Sequence, residues 1–509
     1  MQTHSPALGS LEPSRILGIR RGVEKESLRA QADGSLALTP HPQGLGSALT
    51  HPHITTDFSE SQLELITGVH PDVQSCLDEL TRVQQVTVRE LGDEMLWVSS
   101  MPCSLPQDDA IPLGQYGSSN VGRSKTLYRS GLCLRYGRRM QTISGIHYNW
   151  SLPDVSSEQY FGLIRNFRRH AFLLLYLFGA SPAVCATFVA GRSHPLQALS
   201  ANTMYLPYAT SLRMGRLGYQ SDAQASLAVS YNSLQGYAAS LQDALTRPYP
   251  AYEALGVRGP DGEYRQLATT LLQIENECYG TIRPKRVIHQ GERPLHALRE
   301  RGVEYVEVRL MDLDPFEPMG INAQTMRFLD VFLLHCLLSD SPPDTPQEIV
   351  ALAHNQHNTA ERGREPGLML ERGETTVALV DWGLELVAQL QPIARQLDET
   401  LGGSSYGAAV ESAVHALHHP DTLPSARVLD EVTQNFGGSF VAFVKAQSVK
   451  TRQVMLDAEL PAAVRDQFVQ LERTSVEDQR NIEASDSMSF DRYLQEYLSP
   501  QHLNPARPL

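Results

Sequence analysis

The sequence has no CxxC pair, and its six cysteines, at positions 76, 103, 133, 185, 278 and 336, stand far apart. That spacing argues against a structural zinc site and offers no disulfide framework; it suits a reducing cytosol, so a cytoplasmic protein is expected. Positive charge is also scarce: 43 Lys and Arg against 57 Asp and Glu leave a formal charge of −14. Sequence-independent nucleic-acid binding needs basic surface and is excluded on that ground. Anionic substrates are not, because bound cations can reverse the local sign. The N-terminal MQTHSPALGSLEPSR lacks the apolar core of a signal peptide. The apolar run 171–191 is broken by Gly179, Ser181 and Pro182. It is read as a buried helix ending near Phe178, then a loop and a short strand, and not as a membrane span. Internal repeats and low-complexity linkers are missing, as are a Walker loop and a dinucleotide fingerprint. The glycines of GQYGSSNVG, 114–122, are the one weak candidate for a phosphate cradle.

What is present is an ordinary globular composition, 41% hydrophobic and 20% charged over 509 residues. Strand-like segments concentrate before about residue 320. Helical periodicity covers 72–91, 158–178 and 221–246, and then 324–338, 346–361, 383–400, 405–417, 427–447 and 460–497 in pieces. The expected fold class is α+β, with residues 1–509 as one domain: 1–320 holds most of the sheet and motifs, and 321–509 is a mainly helical portion packed on it. SDSPPDTP (339–346) and HHPDTLPS (418–425) are the weak linker candidates. His415, His418 and His419 cluster near a helix end, where a solvated terminus is the simpler reading than a metal site.

The carboxylates carry more information. In GIRRGVEKESLR, 18–29, Glu24 and Glu26 are two apart in an extended run and project from one strand face. Like charges side by side need a cation, an arginine cluster or open solvent to be stable. ITTDFSESQLELITGV, 54–69, adds Asp57, Glu60 and Glu64, the last between two leucines. A buried carboxylate there calls for an arginine partner or a metal. In GVEYVEVRLMDLDPF, 302–316, Tyr305, Glu307 and Arg309 share a face behind Val306, Val308 and Leu310. In QTISGIHYNWSLP, 141–153, His147, Asn149 and Ser151 lie opposite Ile146, Tyr148 and Trp150. An antiparallel sheet with one face on a core and the other lining a cleft would collect all four segments. Three further groups carry Arg, Lys and Tyr: Lys125, Tyr128 and Arg129 at helical spacing; Arg213, Arg216 and Tyr219; and Glu275 to Arg286 with Tyr279, Arg283 and Lys285. Arginine suits carboxylate and phosphate capture. Each group alone reads as surface; together with the acids they suit a substrate carrying several carboxylates and phosphates.

The ordered motifs RGVEKESLR, TTDFSESQLELIT, YGSSNVGRSKTLYRSGL, ISGIHYN, IENECYGTIRPKR and EYVEVRLMDLDPF closely resemble the glutamate–cysteine ligase family of the proteobacterial type, over nearly the whole chain. The resemblance implies an ATP-dependent ligase that makes γ-glutamylcysteine through a γ-glutamyl phosphate, the first step of glutathione synthesis. It implies a glutamine-synthetase-like curved antiparallel sheet lining the active site, surrounded by helices. It places metal ligands for Mg²⁺, with Mn²⁺ also admissible, at Glu24, Glu26, Asp57, Glu60, Glu64, His147 and Glu307. It places Arg309 at the transferred phosphoryl group, Arg129 and Arg213 near substrate carboxylates, and a cysteine pocket at Tyr128, Leu132, Ile143, Tyr219 and Tyr279. It further implies L-glutamate and L-cysteine as substrates, glutathione as feedback inhibitor, and a monomer. One departure is local: Gly215 and Arg216 stand where the family usually has Ser-Asp.

Overall fold

The alternating segments pair as the period-two pattern requires. The computed structural model describes residues 11–218, 223, 227, 229–289 and 291–504. Six of its strands form the main sheet: β1 (Arg20–Ala30), β2 (Ile54–Thr56), β3 (Gln62–Ile66), β4 (Ile146–Ser151), β5 (Ile282–Lys285) and β6 (Tyr305–Met311). Their order is β2-β3-β1-β4-β6-β5, with every neighbouring pair antiparallel, and Met95–Leu96 pairs with the far end of β1. The first long strand is therefore central, and its neighbour β4 lies more than a hundred residues downstream in sequence. Parity puts Val23, Tyr148, Trp150, Val306 and Val308 on one face, all buried.

Helices surround the sheet, most of them on that apolar face and α2 and α9 on the other: α1 (Val73–Glu90), α2 (Asn120–Tyr136), α3 (Ser157–Phe178), α4 (Pro294–Arg301), α5 (Ala323–Leu338), α6 (Pro346–Arg362), α7 (Leu379–Leu401), α8 (Ser405–His418) and α9 (Phe490–Tyr497) are the ones that matter here. Their starts follow sequence rules. Asp72 and Asn322 cap α1 and α5, and Ser156 with Gln159 forms a reciprocal box at α3. One apolar cluster runs without interruption from the sheet through α3 and α5 to α7 and α8. Charges also cross it. The buried Arg21 guanidinium meets Asp330 of α5 at 3.0 Å, and Asp330 also accepts from the Tyr148 hydroxyl at 2.8 Å and from Tyr406 of α8 at 3.3 Å. Lys25, 1% exposed, sits on the same side and donates to Gln84 of α1. Its parity with Val23 already puts it on this face of the strand.

Several expectations need correction. The helix anticipated over 221–246 is interrupted: residues 229–233 are irregular, and the helix that follows them is Leu234–Thr246. Residues 219–222, 224–226 and 228 lie outside the described set. The single helix read over 427–447 is two, Pro424–Gln434 and Phe440–Asp457, because Gly437 and Gly438 take φ of 56° and 81°. The segment 339–346 is tied to α3: Arg165 donates to the Ser341 carbonyl at 2.7 Å, and Arg168 pairs with Asp344 at 2.9 Å. The apolar run does end its helix at Phe178 and continues into a short strand, Ala183–Cys185. No helix among the described residues is long and apolar enough to cross a membrane.

Candidate active site

The polar face of the sheet carries the acids. In the register of β1 with its two neighbours, Glu26 stands opposite Glu64 and Glu24 opposite His147. On β6, Glu307 stands opposite Asn149 on one side and Arg283 on the other. Directly opposed residues in antiparallel strands share a face. Four strands thus deliver their carboxylates and imidazole to one cavity of about 400 Å³. His147 Nδ1 is 3.1 Å from Glu24 and 3.8 Å from Glu307, and its Nε2 is 3.4 Å from Glu26. The Asn149 amide donates to Glu24 at 2.9 Å, and the Gly145 N–H donates to Glu26 at 2.7 Å. Arg309 Nη1 is 3.1 Å from Glu307, and Lys285 Nζ is 3.5 Å from the same oxygen.

Burial would push every one of these carboxyls upward, and their neighbours decide the outcome. At Glu307 the charges of Lys285, Arg309 and His147 outweigh burial and hold it well below the ordinary carboxylate range. At Glu24 burial and the Glu307 charge push upward, but the His147 hydrogen bond together with the charges of His147 and Lys285 outweighs them, and its value is lowered. Burial prevails at Glu26, which is raised, and at Glu64, which burial and the charges of Glu24, Asp57 and Glu26 raise well above the ordinary range. Arg309 is raised by the acids around it in spite of burial. Such a crowd of acids fits a divalent cation. Ligand atoms of Glu24, Glu64 and His147 lie within 4.8 Å of one another, and the second oxygen of Glu307 is buried without a hydrogen-bond partner. The set is rich in oxygen, as Mg²⁺ requires, with one imidazole that Mn²⁺ also accepts.

The strands give the cavity a direction. β6 runs parallel to β1, since both are antiparallel to β4. At one end Lys285 lies beside Tyr305 on the edge pair. At the other lie Glu26, Gly145 and then Gln141, with Tyr279 just before β5. Tyr128, Arg129 and Leu132 of α2 line this second end, and the Tyr279 hydroxyl donates to Gln141 at 3.4 Å. Lys125, one turn before Arg129, also faces the cavity, and burial with the nearby Arg129 charge lowers its ammonium to about 8.

Not every sequence candidate arrives. Asp57 lines the cavity, but Glu60 does not: its two oxygens accept the backbone N–H groups of His41 at 2.9 Å and Gln115 at 2.8 Å, so it ties loops together. Ile143 is fully buried in the second apolar cluster and not in the cavity lining. Arg213 is 4% exposed and lines a second, smaller pocket that shares Tyr279 and Arg309 with the main cavity; it donates to the Arg309 carbonyl at 2.8 Å. Its guanidinium lies so close over Gly145 that a Cβ there would be 2.0 Å from Nη2. Tyr219 lies outside the described residues. Gly215 and Arg216 meet α6 instead of the cavity acids, Arg216 pairing with Glu361 at 2.9 Å. The glycine loop 114–122 is no phosphate cradle: Glu483 and Asp486 accept its Ser118 and Asn120 N–H groups, and a Cβ on Gly122 would meet the Tyr116 carbonyl at 2.2 Å. Among the described residues no metal-like group forms at His415, His418 and His419; the rings of His415 and His419 lie tilted with centres 4.3 Å apart. Gln141 and Tyr497 line the cavity without any signal in the sequence.

Comparison with known proteins gives a consistent result. The profile of a family described as glutamate-cysteine ligase matches residues 10–359. A glutamate–cysteine ligase of Alcanivorax borkumensis is 46% identical over 504 residues, covering 95% of this chain and 96% of that one. The corresponding protein of Janthinobacterium sp. (strain Marseille) is 48% identical, with 95% of each covered. The crystal structure of a Francisella tularensis glutamate–cysteine ligase in complex with AMP superposes with a TM-score of 0.90 at 37% identity, covering 94% of this chain and 97% of that one.

Proposed function

We propose residue roles from one premise: the chain belongs to the glutamate–cysteine ligase family, and it catalyses the ATP-dependent joining of glutamate and cysteine that begins glutathione synthesis. The observation that carries the roles is the convergence of Glu24, Glu64, His147, Glu307 and Arg309 on one cavity from four strands.

A carboxylate oxygen is too poor a leaving group for an amine to displace. The γ-carboxylate of glutamate therefore attacks the γ-phosphorus of ATP, forming an acyl phosphate and releasing ADP. The cysteine amine then attacks the acyl carbon, forming the C–N bond; phosphate leaves and the nitrogen gives up its proton. Glu24, Glu26, Asp57, Glu64, His147 and Glu307 would hold Mg²⁺, or Mn²⁺ in its place. When bound, such a cation neutralises phosphate charge and so lets two anions meet.

The chain's own groups do the rest. Arg309, anchored by Glu307 and by the contact of Arg213 with its carbonyl, presents a fixed planar cation to the transferred phosphoryl group. Arg283 and Lys285 face phosphates at their end of the cavity, so the nucleotide lies there; the AMP of the Francisella relative supports an adenine nucleotide as the ligand. Tyr128, Leu132 and Tyr279 take the cysteine side chain, and Arg129 a substrate carboxylate. Arg213, lining the adjoining pocket with Tyr279 and Arg309, takes another substrate carboxylate. Glutathione, which contains both amino-acid portions, competes for their places. We read the enzyme as a cytoplasmic monomer; its six free cysteines support a reducing compartment.

The test is phosphate release from ATP with glutamate, with and without cysteine. Cysteine-dependent release is expected; release indifferent to cysteine would refute the acceptor. An apolar pocket discriminates a missing or altered atom by only about 1–3 kcal/mol. 2-Aminobutyrate should therefore also trigger release, at about ten- to a hundred-fold lower kcat/KM.

A further inference from the structure

The C-terminal helix α9 has no part in the mechanism above, yet Tyr497 in its last turn lines the same cavity. Ile288 and Pro294, which follow Lys285 along the chain, line the cavity too, and Arg293 beside Pro294 is what Tyr497 touches. The helix is anchored there. Arg293 Nη1 donates to the Tyr497 carbonyl at 2.9 Å, and the guanidinium lies 4.7 Å from the centre of the Tyr497 ring. The same guanidinium pairs with Glu275 at 2.6 Å, both side chains nearly buried at 2% and 7% exposure. One turn earlier the Tyr493 ring lies 5.7 Å from that of Tyr497 at an interplanar angle of 7°. Phe490 sits beneath Arg123 of α2 at 4.0 Å. Two buried charges and a row of rings thus hold one tyrosine at a cavity wall.

We propose that Tyr497 is a nucleotide-site residue: with Ile274, Ile288 and Pro294 it forms the apolar wall against which the purine base of ATP lies. The inference rests on the reading that the nucleotide occupies the Lys285 end. Glutamate and cysteine are short and charged, and this wall offers them little. Its two acids are already committed, Glu275 to Arg293 and Glu292 to Arg301 at 2.7 Å. A purine is planar and apolar over its faces, and aromatic side chains bind such bases by stacking or edge contacts.

The experiment is calorimetric titration of Mg·ADP into the full-length wild type and the Y497A, Y497F and K285A variants, with thermal melting as the check on folding. Y497A is expected to bind about ten-fold more weakly and Y497F within about two-fold of wild type, while the KM for cysteine stays put in both. Wild-type affinity in Y497A with weakened binding in K285A overturns the wall and leaves the nucleotide end standing. Wild-type affinity in both variants overturns the nucleotide end as well. Hydrogen exchange in wild type decides independently of any variant: residues 490–497 should exchange more slowly with Mg·ADP, and an unchanged rate refutes the proposal.

Discussion

Replacing Glu307 by Gln keeps the side-chain volume and removes one charge from the cavity. Arg309, Lys285 and His147 all lie within 4 Å of that carboxylate, so the variant leaves an excess of positive charge and one fewer anionic ligand. Its kcat is expected to fall by about a hundred-fold or more, with an unchanged far-ultraviolet spectrum; near wild-type turnover would contradict the role. Gly145 acts at one remove. Its N–H holds Glu26 at 2.7 Å, and its missing Cβ lets the Arg213 guanidinium lie 2.0–2.9 Å from where that carbon would be. Gly145→Ala should displace Arg213 from the Arg309 carbonyl and lower kcat by about ten-fold, measured by steady-state kinetics at saturating substrates. At this scale the sequence was legible wherever period two governed: Glu24, Glu26, His147 and Glu307 fall on one face by parity alone. It was not legible in the turn between β2 and β3. There Asp57 faces the cavity and Glu60 turns to two backbone amides, a choice that spacing does not encode.

Among the elements, the connection into β2 depends on a neutral histidine. His51 Nδ1 accepts the N–H groups of His53 at 3.1 Å and Ile54 at 3.0 Å, and the ring stacks on Phe468 at 6.3 Å. Burial and the neighbouring His53 lower its value from 6.5 to about 4, and burial does the same to His335 in α5. The unfolded chain therefore takes up these protons first on acidification. Stability is full above about pH 6.5 and falls as pH drops toward 4, by up to about 3 kcal/mol per histidine. Urea midpoints measured from pH 7.5 to 4.5 should show that slope, and His51→Gln should flatten part of it. Helices were the most readable elements, since α1, α3, α5 and α8 begin and end within a few residues of where periodicity and caps put them. The break at Gly437 and Gly438 carried its own signal and was overridden by the apolar spacing around it.

For the molecule as a whole, the buried cluster in which Asp330 pairs with Arg21 and accepts from Tyr148 and Tyr406 joins the sheet to two helices of the C-terminal half. Asp330→Asn leaves the Arg21 charge buried without its counterpart. It should cost about 3–5 kcal/mol in urea unfolding, with residual activity at low temperature in proportion to the folded fraction. The family resemblance carried the overall architecture, but the docking of the last helix beside the cavity was out of reach: Tyr497 has no local context that announces it, and its position depends on Arg293, some two hundred residues away in the chain. The strand order has a consequence for how the protein is made. β1 emerges first from the ribosome and stands at the centre, yet its neighbour β4 follows more than a hundred residues later and Glu307 later still. A nascent chain halted before residue 307 thus presents acids that lack their last member and Arg309. A fragment ending there lacks two of the groups on which phosphoryl transfer is proposed to depend, so the cavity is complete only when most of the body exists.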